Sequence, residues 1–397
     1  MSDNSNLFQK EDKYFFHTYK RLGLDIDRGD GVYLYAKDGK RYLDFFGGLA
    51  VNALGYNHPA VNKAIIGQVN RYIHLSNYYV QDAQVNLAEK VIAVSGFKRI
   101  FFANSGTEAV EGAIKVARKW GKTNGKTQML GLSNSFHGRT MGALSLTERP
   151  KYREGYEPFL PNVCHVGFND VEQLKATVNE QTLAIILEFI QGEGGIFVVS
   201  PEFAAALNEL RAKFGFLIIA DEIQAGIGRT GKFFAFEHFG VQPDIAVIAK
   251  AIGGGLPLGA FLGGERVADV LTYGTHGTTF GGNPVACAAG IAVLTEVIDN
   301  GLMKQAGETG AYLRKKFTDL QTKYPALIKE VRGIGCMLGI ELTQDGQPVV
   351  DNMQDRGILV NCTHQTVLRF LPPYIVTRQH CDTLVDELGD VLAGMKG

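Results

Sequence analysis

A chain of 397 residues, 45% hydrophobic and with only 12 prolines, can bury a large core in two or three domains, which excludes a disordered protein. Forty basic side chains stand against 41 acidic ones, a formal charge of −1 without long runs of one sign, which excludes a polybasic nucleic-acid binder and an acidic tail. Glycine is in excess, with 48 residues where about 7% of the chain is usual, and in no three-residue period, so tight turns or backbone pressed against a ligand are expected.

The N-terminal stretch MSDNSNLFQKEDKYF is polar, so no export signal is expected. Residues 31–46, GVYLYAKDGKRYLDFF, hold two apolar segments around Asp38-Gly39, the dipeptide of a type I′ hairpin turn. From about residue 60 to 290, short β-branched runs alternate with helical segments. The runs are Arg99–Phe102, Met129–Leu132, Leu183–Leu187, Phe216–Ala220 and Ile245–Ala249. Runs that are apolar throughout, without period-2 polarity, predict an α/β layer with a mostly parallel sheet buried on both faces. Residues 107–120 place Val110, Ala113, Ile114, Ala117 and Trp120 at helical spacing. Beyond residue 290, an amphipathic stretch, the segments VRGIGCMLGIEL, GILVN and VLRFLPP, and a helix near 377–394 predict a smaller α+β domain.

Cys164, Cys287, Cys336, Cys362 and Cys381 stand singly, as expected of a reducing, cytoplasmic compartment. No apolar stretch reaches the roughly 18 residues of a membrane span. The nine histidines form no metal-ligand motif, so no metal site is expected.

Ligands of open α/β sheets bind beyond the carboxyl ends of the strands, so the residues that follow each run matter most. After IFFA comes Asn104-Ser105-Gly106-Thr107-Glu108 and then a helix. Free N–H groups and the positive dipole end there suit a phosphate, although a plain Ser/Thr cap would read the same. Glu188 and the turn Gln191-Gly192-Glu193-Gly194-Gly195 follow LAIIL, and Asp221-Glu222-Ile223-Gln224 follow FLIIA. Lys250 follows IAVIA and precedes three glycines. A lysine ending a buried run either snorkels to water or is an amine kept unprotonated for covalent chemistry. A carboxylate on the neighbouring strand would partner a protonated pyridine ring. Together these features indicate pyridoxal phosphate, with Lys250 as its covalent anchor. Residues 226–231 also fit G-x-G-x-x-G formally. An aromatic stretch follows in place of a helix, and IAVIAKAIGG occupies the position of the acid, so a dinucleotide site is not expected.

The segments NSGTEAVEGAIKVAR, FHGRT, QGEGG, ADEIQAGIGRTG, the strand ending in Lys250 with GGG after it, and TTFGGNP resemble the class III (ornithine-type) aminotransferases. The resemblance runs in order from GKRYLDFFGGLAVNALGYNHP onward. Within the class, GGLAVNALGYNHP, PKYREGYEPF and GILVNCTHQTVLRFLPP are similar to the acetylornithine aminotransferases. Two departures are visible. Residues 188–191 are EFIQ where the family usually has EPIQ, and 278–279 are Thr-Thr where it usually has Ser-Thr. The first alters a turn, because proline fixes φ. The second adds a methyl beside the substrate and bears on acyl-group preference.

The resemblance implies a fold-type-I pyridoxal-phosphate transferase, α/β, working as a homodimer with active sites at the subunit interface. Residues 1–55 would join the small domain, 56–285 form the large cofactor-binding domain and 286–397 the C-terminal small domain. Lys250 would link to the cofactor and move the proton, and Asp221 would pair with its ring nitrogen. Gln224 would bond its phenolic oxygen, Phe136 would stack on its ring, and Ser105, Gly106 and Thr107 would hold its phosphate. Thr279 would reach that phosphate from the partner subunit, with Thr278 beside the substrate. Arg139 and Arg369 would receive substrate carboxylates through two-bond forks. Glu193 would neutralise Arg369 while the amine donor is bound and release it to a diacid. The implied reaction moves the δ-amino group of N2-acetyl-L-ornithine to 2-oxoglutarate, in arginine biosynthesis. Ornithine, N-succinylornithine and 4-aminobutyrate are the rival donors, and a non-catalytic binding protein on the same fold is the rival of another class. No nucleic-acid or membrane partner is expected.

Overall fold

A computed structural model describes residues 4–395. Its largest sheet has seven strands. In spatial order they are Arg99–Ala103, Gly259–Gly263, Ile245–Ile248, Leu217–Asp221, Thr182–Leu187, Gln128–Leu132 and Val163–Val166. Gly259–Gly263 runs antiparallel to both its neighbours, and the other pairings are parallel. All five runs seen in the sequence are strands of this sheet. Val163–Val166 and Gly259–Gly263 complete it. They carry too few β-branched residues, or too many glycines, to stand out by composition.

The central strands are apolar throughout because both faces are covered. Ile185, Leu187, Ile218, Ala220, Ala246 and Ile248 enter one hydrophobic cluster. Ala184, Ile186, Leu217, Ile219, Ile245 and Val247 enter another on the opposite face. Each fully buried Ile or Leu contributes about 1.5–3 kcal/mol. The helix Gly106–Thr123 packs on the second face through Val110, Ala113, Ile114 and Ala117, the spacing read from the sequence.

Two smaller sheets lie apart from the large one in the pairing pattern. Ile26–Asp30, Tyr33–Ala36 and Arg41–Asp44 form a meander that the short strand Ile358–Leu359 joins in parallel. Ile328–Ile334, Met337–Leu342, Val367–Phe370 and Asn361–Thr363 form an antiparallel sheet in that order. Val32, Leu43 and Phe45 share one core with Leu338, Phe370 and Leu384, so the chain's beginning and end fold together. The last helix, Arg378–Gly394, matches the expected span.

The turn at Asp38-Gly39 differs from expectation. Only Gly39 has positive φ (88°), and the Ala36 N–H donates to the Lys40 carbonyl at 2.9 Å. The loop is therefore three residues closed by a left-handed glycine, because a type I′ turn needs both central residues at positive φ. Among the described residues, no single helix is long and apolar enough to cross a membrane.

Candidate active site

Sheet register brings the polar residues together. Leu187 pairs with Ala220, and Asp221 with Val247, so Glu188, Asp221 and Lys250 emerge at one edge. They line a cleft of about 500 Å³, together with Ser105, Gly106, Thr107, Phe136, Arg139, Glu193 and Gln224. Arg369 reaches its margin by bonding to Glu193 and Gln224.

At one end of the cleft, Ser105 caps the helix Gly106–Thr123, its Oγ accepting from the Glu108 N–H at 3.3 Å. The cap and phosphate readings coexist, because one hydroxyl satisfies one donor and the other first-turn N–H groups stay open. Thr107 Oγ1 lies 2.9 Å from Thr140 Oγ1, which ties the FHGRT turn to this helix start.

Lys250 sits just past its strand in a left-handed conformation (φ 52°), strain of the kind that persists where the surroundings over-determine it. Among the described residues its amine makes no hydrogen bond or ion pair. Burial lowers its pKa to about 8, against an opposing pull from the Glu193 carboxylate. Lys250 is partly buried and lines the cleft, which sets aside the alternative of a lysine snorkelling to open water.

Asp221 ends its strand and is buried. Its Oδ1 accepts from the Ile223 N–H at 3.1 Å, and its Oδ2 lies 2.7 Å from His137 Nδ1. Glu188, also buried, accepts from the N–H of Phe136 at 3.0 Å and of Gly192 at 2.9 Å. Burial, and then the charge of Asp221, raise the Glu188 pKa. Glu188 thus braces the turn carrying Phe136 against the turn carrying Glu193. Glu222 faces away. Burial pushes its pKa up to about 8, and it receives the N–H groups of Ala235 and Phe236 at 2.8 and 3.0 Å.

Arg369 is buried in its strand and donates to Glu193 Oε1 at 2.5 Å. Its Nε and Nη2 donate to Asn361 Oδ1 at 3.1 and 2.6 Å, and Nη1 lies 3.4 Å from Gln224 Oε1. Burial alone would raise the Glu193 pKa, but the charge and hydrogen bond of Arg369, together with the charges of Lys250 and Arg149, outweigh it and hold the carboxyl below its ordinary range.

Thr278 and Thr279 do not line the cleft of their own chain. Thr278 Oγ1 accepts from the Gly281 N–H at 3.1 Å and from Asn104 at 3.3 Å, and Thr279 is exposed. Phe189 has no place in the cleft either. It is fully buried and stacks on Phe239 at 5.4 Å, so this departure from the family pattern fills a core.

The formal G-x-G-x-x-G at 226–231 is a loop whose Arg229 is buried. Arg229 donates to the carbonyls of Cys336 and Pro372, both at 2.9 Å, and so fastens the Asp221 loop to the segment after Arg369. Several glycines prove to serve the chain's own packing. A Cβ on Gly259 would stand 2.3 Å from the Ser105 carbonyl, and one on Gly192 would stand 2.3 Å from Gln224 Oε1. These glycines let strand and turn close on the residues that shape the cleft.

Three residues here carry no role in the sequence reading: His137, Glu188 and Asn361. His137 stands inside FHGRT and Asn361 inside LVNCT, but only folding reveals their partners. Asn361 is opposite Arg369 across two strands.

The family model of aminotransferase class-III matches residues 14–392. The chain belongs to the class-III aminotransferases. It is 46% identical to the acetylornithine aminotransferase of Methanocaldococcus jannaschii, over 98% of this chain and 99% of that one. Among solved structures it resembles the ornithine aminotransferase of Toxoplasma gondii, with TM-score 0.94, 30% identity and coverage of 99% and 96%. It also resembles the acetylornithine aminotransferase of Elizabethkingia anophelis, with TM-score 0.90, 31% identity and full coverage of both chains. This class-III aminotransferase uses pyridoxal phosphate, and the cleft suits it. A partly buried amine that has no hydrogen-bond partner among the described residues, a carboxylate, an aromatic face and a helix N-terminus are the donor set that the cofactor requires.

Proposed function

We propose that the enzyme transfers the δ-amino group of N2-acetyl-L-ornithine to 2-oxoglutarate, giving N-acetyl-L-glutamate 5-semialdehyde and L-glutamate. This places it in arginine biosynthesis, in the cytoplasm, as a homodimer. The observation that carries the reading is the Arg369–Glu193 ion pair beside a second guanidinium, Arg139, that has no acid partner among the described residues. Full-length similarity to acetylornithine aminotransferases selects the acetylated donor.

Ser105, Gly106 and Thr107 would hold the cofactor phosphate, joined by Thr279 of a partner subunit. Phe136 would cover the ring face, Asp221 would meet the ring nitrogen, and Gln224 the phenolic oxygen. When bound, pyridoxal phosphate supplies the electron sink that makes the carbon bearing the amine acidic. Lys250 anchors the cofactor and carries the proton to and from that carbon. Its depressed pKa suits a group that must accept and release a proton near neutrality. His137 holds one oxygen of Asp221 in place, so the other keeps its orientation.

Two substrates alternate in one cleft. Acetylornithine brings a reacting end without a carboxylate, and Glu193 then neutralises the buried Arg369. 2-Oxoglutarate brings a carboxylate beside its carbonyl, which displaces Glu193 and takes the guanidinium in a two-bond fork. Arg139 receives the carboxylate remote from the reacting carbon in both. The domain division at residues 55 and 285 belongs to the same reading. The shared core of the chain's beginning and end supports grouping those two segments. Ala286, Cys287, Val293 and Leu294, however, pack in the core of the large sheet, which moves the second division beyond residue 285.

The structural likeness to an ornithine aminotransferase favours free ornithine as the second reading. A panel of acetylornithine, ornithine, N-succinylornithine and 4-aminobutyrate with 2-oxoglutarate, compared by kcat/KM, decides. Acetylornithine should lead, and clear preference for any other donor overturns the assignment.

A further inference from the structure

The two arginines of the cleft are held by different means. Arg369 is buried against an acid. Arg139 is exposed at the cleft and, among the described residues, makes no ion pair or hydrogen bond. Its guanidinium carbon lies 3.9 Å from the centre of the Tyr152 ring and 5.5 Å from that of Phe136. The two rings meet edge to face at 5.6 Å.

Tyr152 itself is firmly placed. It sits in the short turn Pro150–Arg153, where Arg153 donates to the carbonyls of Leu144, Ser145 and Thr147 at 3.2, 2.9 and 2.9 Å. Those carbonyls end the helix Met141–Leu146, which starts two residues after Arg139. One folded-back segment therefore carries both the guanidinium and the ring beneath it.

We propose that Tyr152 is the positioning residue for recognition of the remote substrate carboxylate. A ring under the guanidinium occupies its face and leaves the N–H edge free for a two-bond fork. It also holds the side chain without neutralising it. An acid in the same place would have to be displaced by each substrate, as Glu193 is from Arg369. Arg139 is thus a constant anchor and Arg369 a switched one, and Tyr152 makes the difference. The inference rests on Arg139 receiving that carboxylate.

The test compares acetylornithine with N-acetyl-1,4-diaminobutane, the same amine without the carboxylate, in the holoenzyme. The readout is the ratio of their kcat/KM values. Tyr152→Leu should lower the ratio about fivefold, the upper end of what a lost exposed cation–π contact would give. The loss should fall on KM for acetylornithine and leave the truncated amine within about twofold. Tyr152→Phe keeps the ring and should keep the ratio. Tyr152→Gln serves as a second ring-free variant should the leucine protein fold poorly.

Arg139→Ala separates the two layers of the argument. If it leaves the ratio unchanged, the reading of Arg139 fails and the proposal with it. If it collapses the ratio while both ring-free variants keep it, only the proposal is overturned. Equal loss on both amines in the Tyr152 variants also overturns it, because that marks a merely structural residue. Should another donor prove to be the substrate, 2-oxoglutarate against 2-oxopentanoate gives the same ratio on the acceptor side.

Discussion

Lys250 shows how placement makes an ordinary residue reactive. In water its amine would be protonated almost completely at neutral pH. In the cleft, burial lowers the pKa to about 8, because desolvation disfavours the charged form. The free amine, which is the nucleophile, therefore rises through pH 8 rather than through pH 10. The rate at which cofactor-free enzyme takes up pyridoxal phosphate should climb with pH and level off above about 8. A climb that continues towards the ordinary lysine value would contradict this placement. For Glu193, burial pulls the carboxyl upward, but the guanidinium of Arg369 beside it helps hold it below its ordinary range.

At the scale of elements, much was legible and some was not. The five apolar runs could be read as buried strands because a sheet covered on both faces needs no polar alternation. The residues that follow them, Glu188, Asp221 and Lys250, could be read as neighbours because parallel strands share a carboxyl edge. Gly259–Gly263 escaped notice because glycine argues against a strand, and Gly259 is there for close approach to Ser105. His137, Asn361 and Tyr152 were not legible as partners. Their contacts to Asp221, Arg369 and Arg139 cross between turns and strands, and no local spacing encodes them. The two-residue turn at Asp38-Gly39 failed because a dipeptide does not fix loop length, and one left-handed glycine closes a three-residue loop equally well.

At the scale of the molecule, the single chain leaves several large apolar side chains exposed. Tyr78, Val80 and Tyr273 are almost wholly exposed, and Phe280 follows Thr279 in the same loop. Large apolar side chains left this exposed on a single chain are expected where an assembly covers them, which supports the proposed homodimer. A solution mass of twice one chain is expected at working concentrations. Full activity at the mass of one chain would contradict it.

The central claim is that one cleft serves two unlike substrates because Glu193 neutralises Arg369 for one and yields it to the other. Glu193→Gln keeps the shape and removes the charge, leaving a buried guanidinium unpaired, an arrangement that is strongly disfavoured. The direct measurement is the rate of each half-reaction, followed through the absorbance of the bound cofactor. The acetylornithine half-reaction should slow about tenfold or more, in keeping with the loss of a charge-assisted bond. The glutamate half-reaction should stay within about twofold. Equal slowing of both halves, or of neither, would contradict the account.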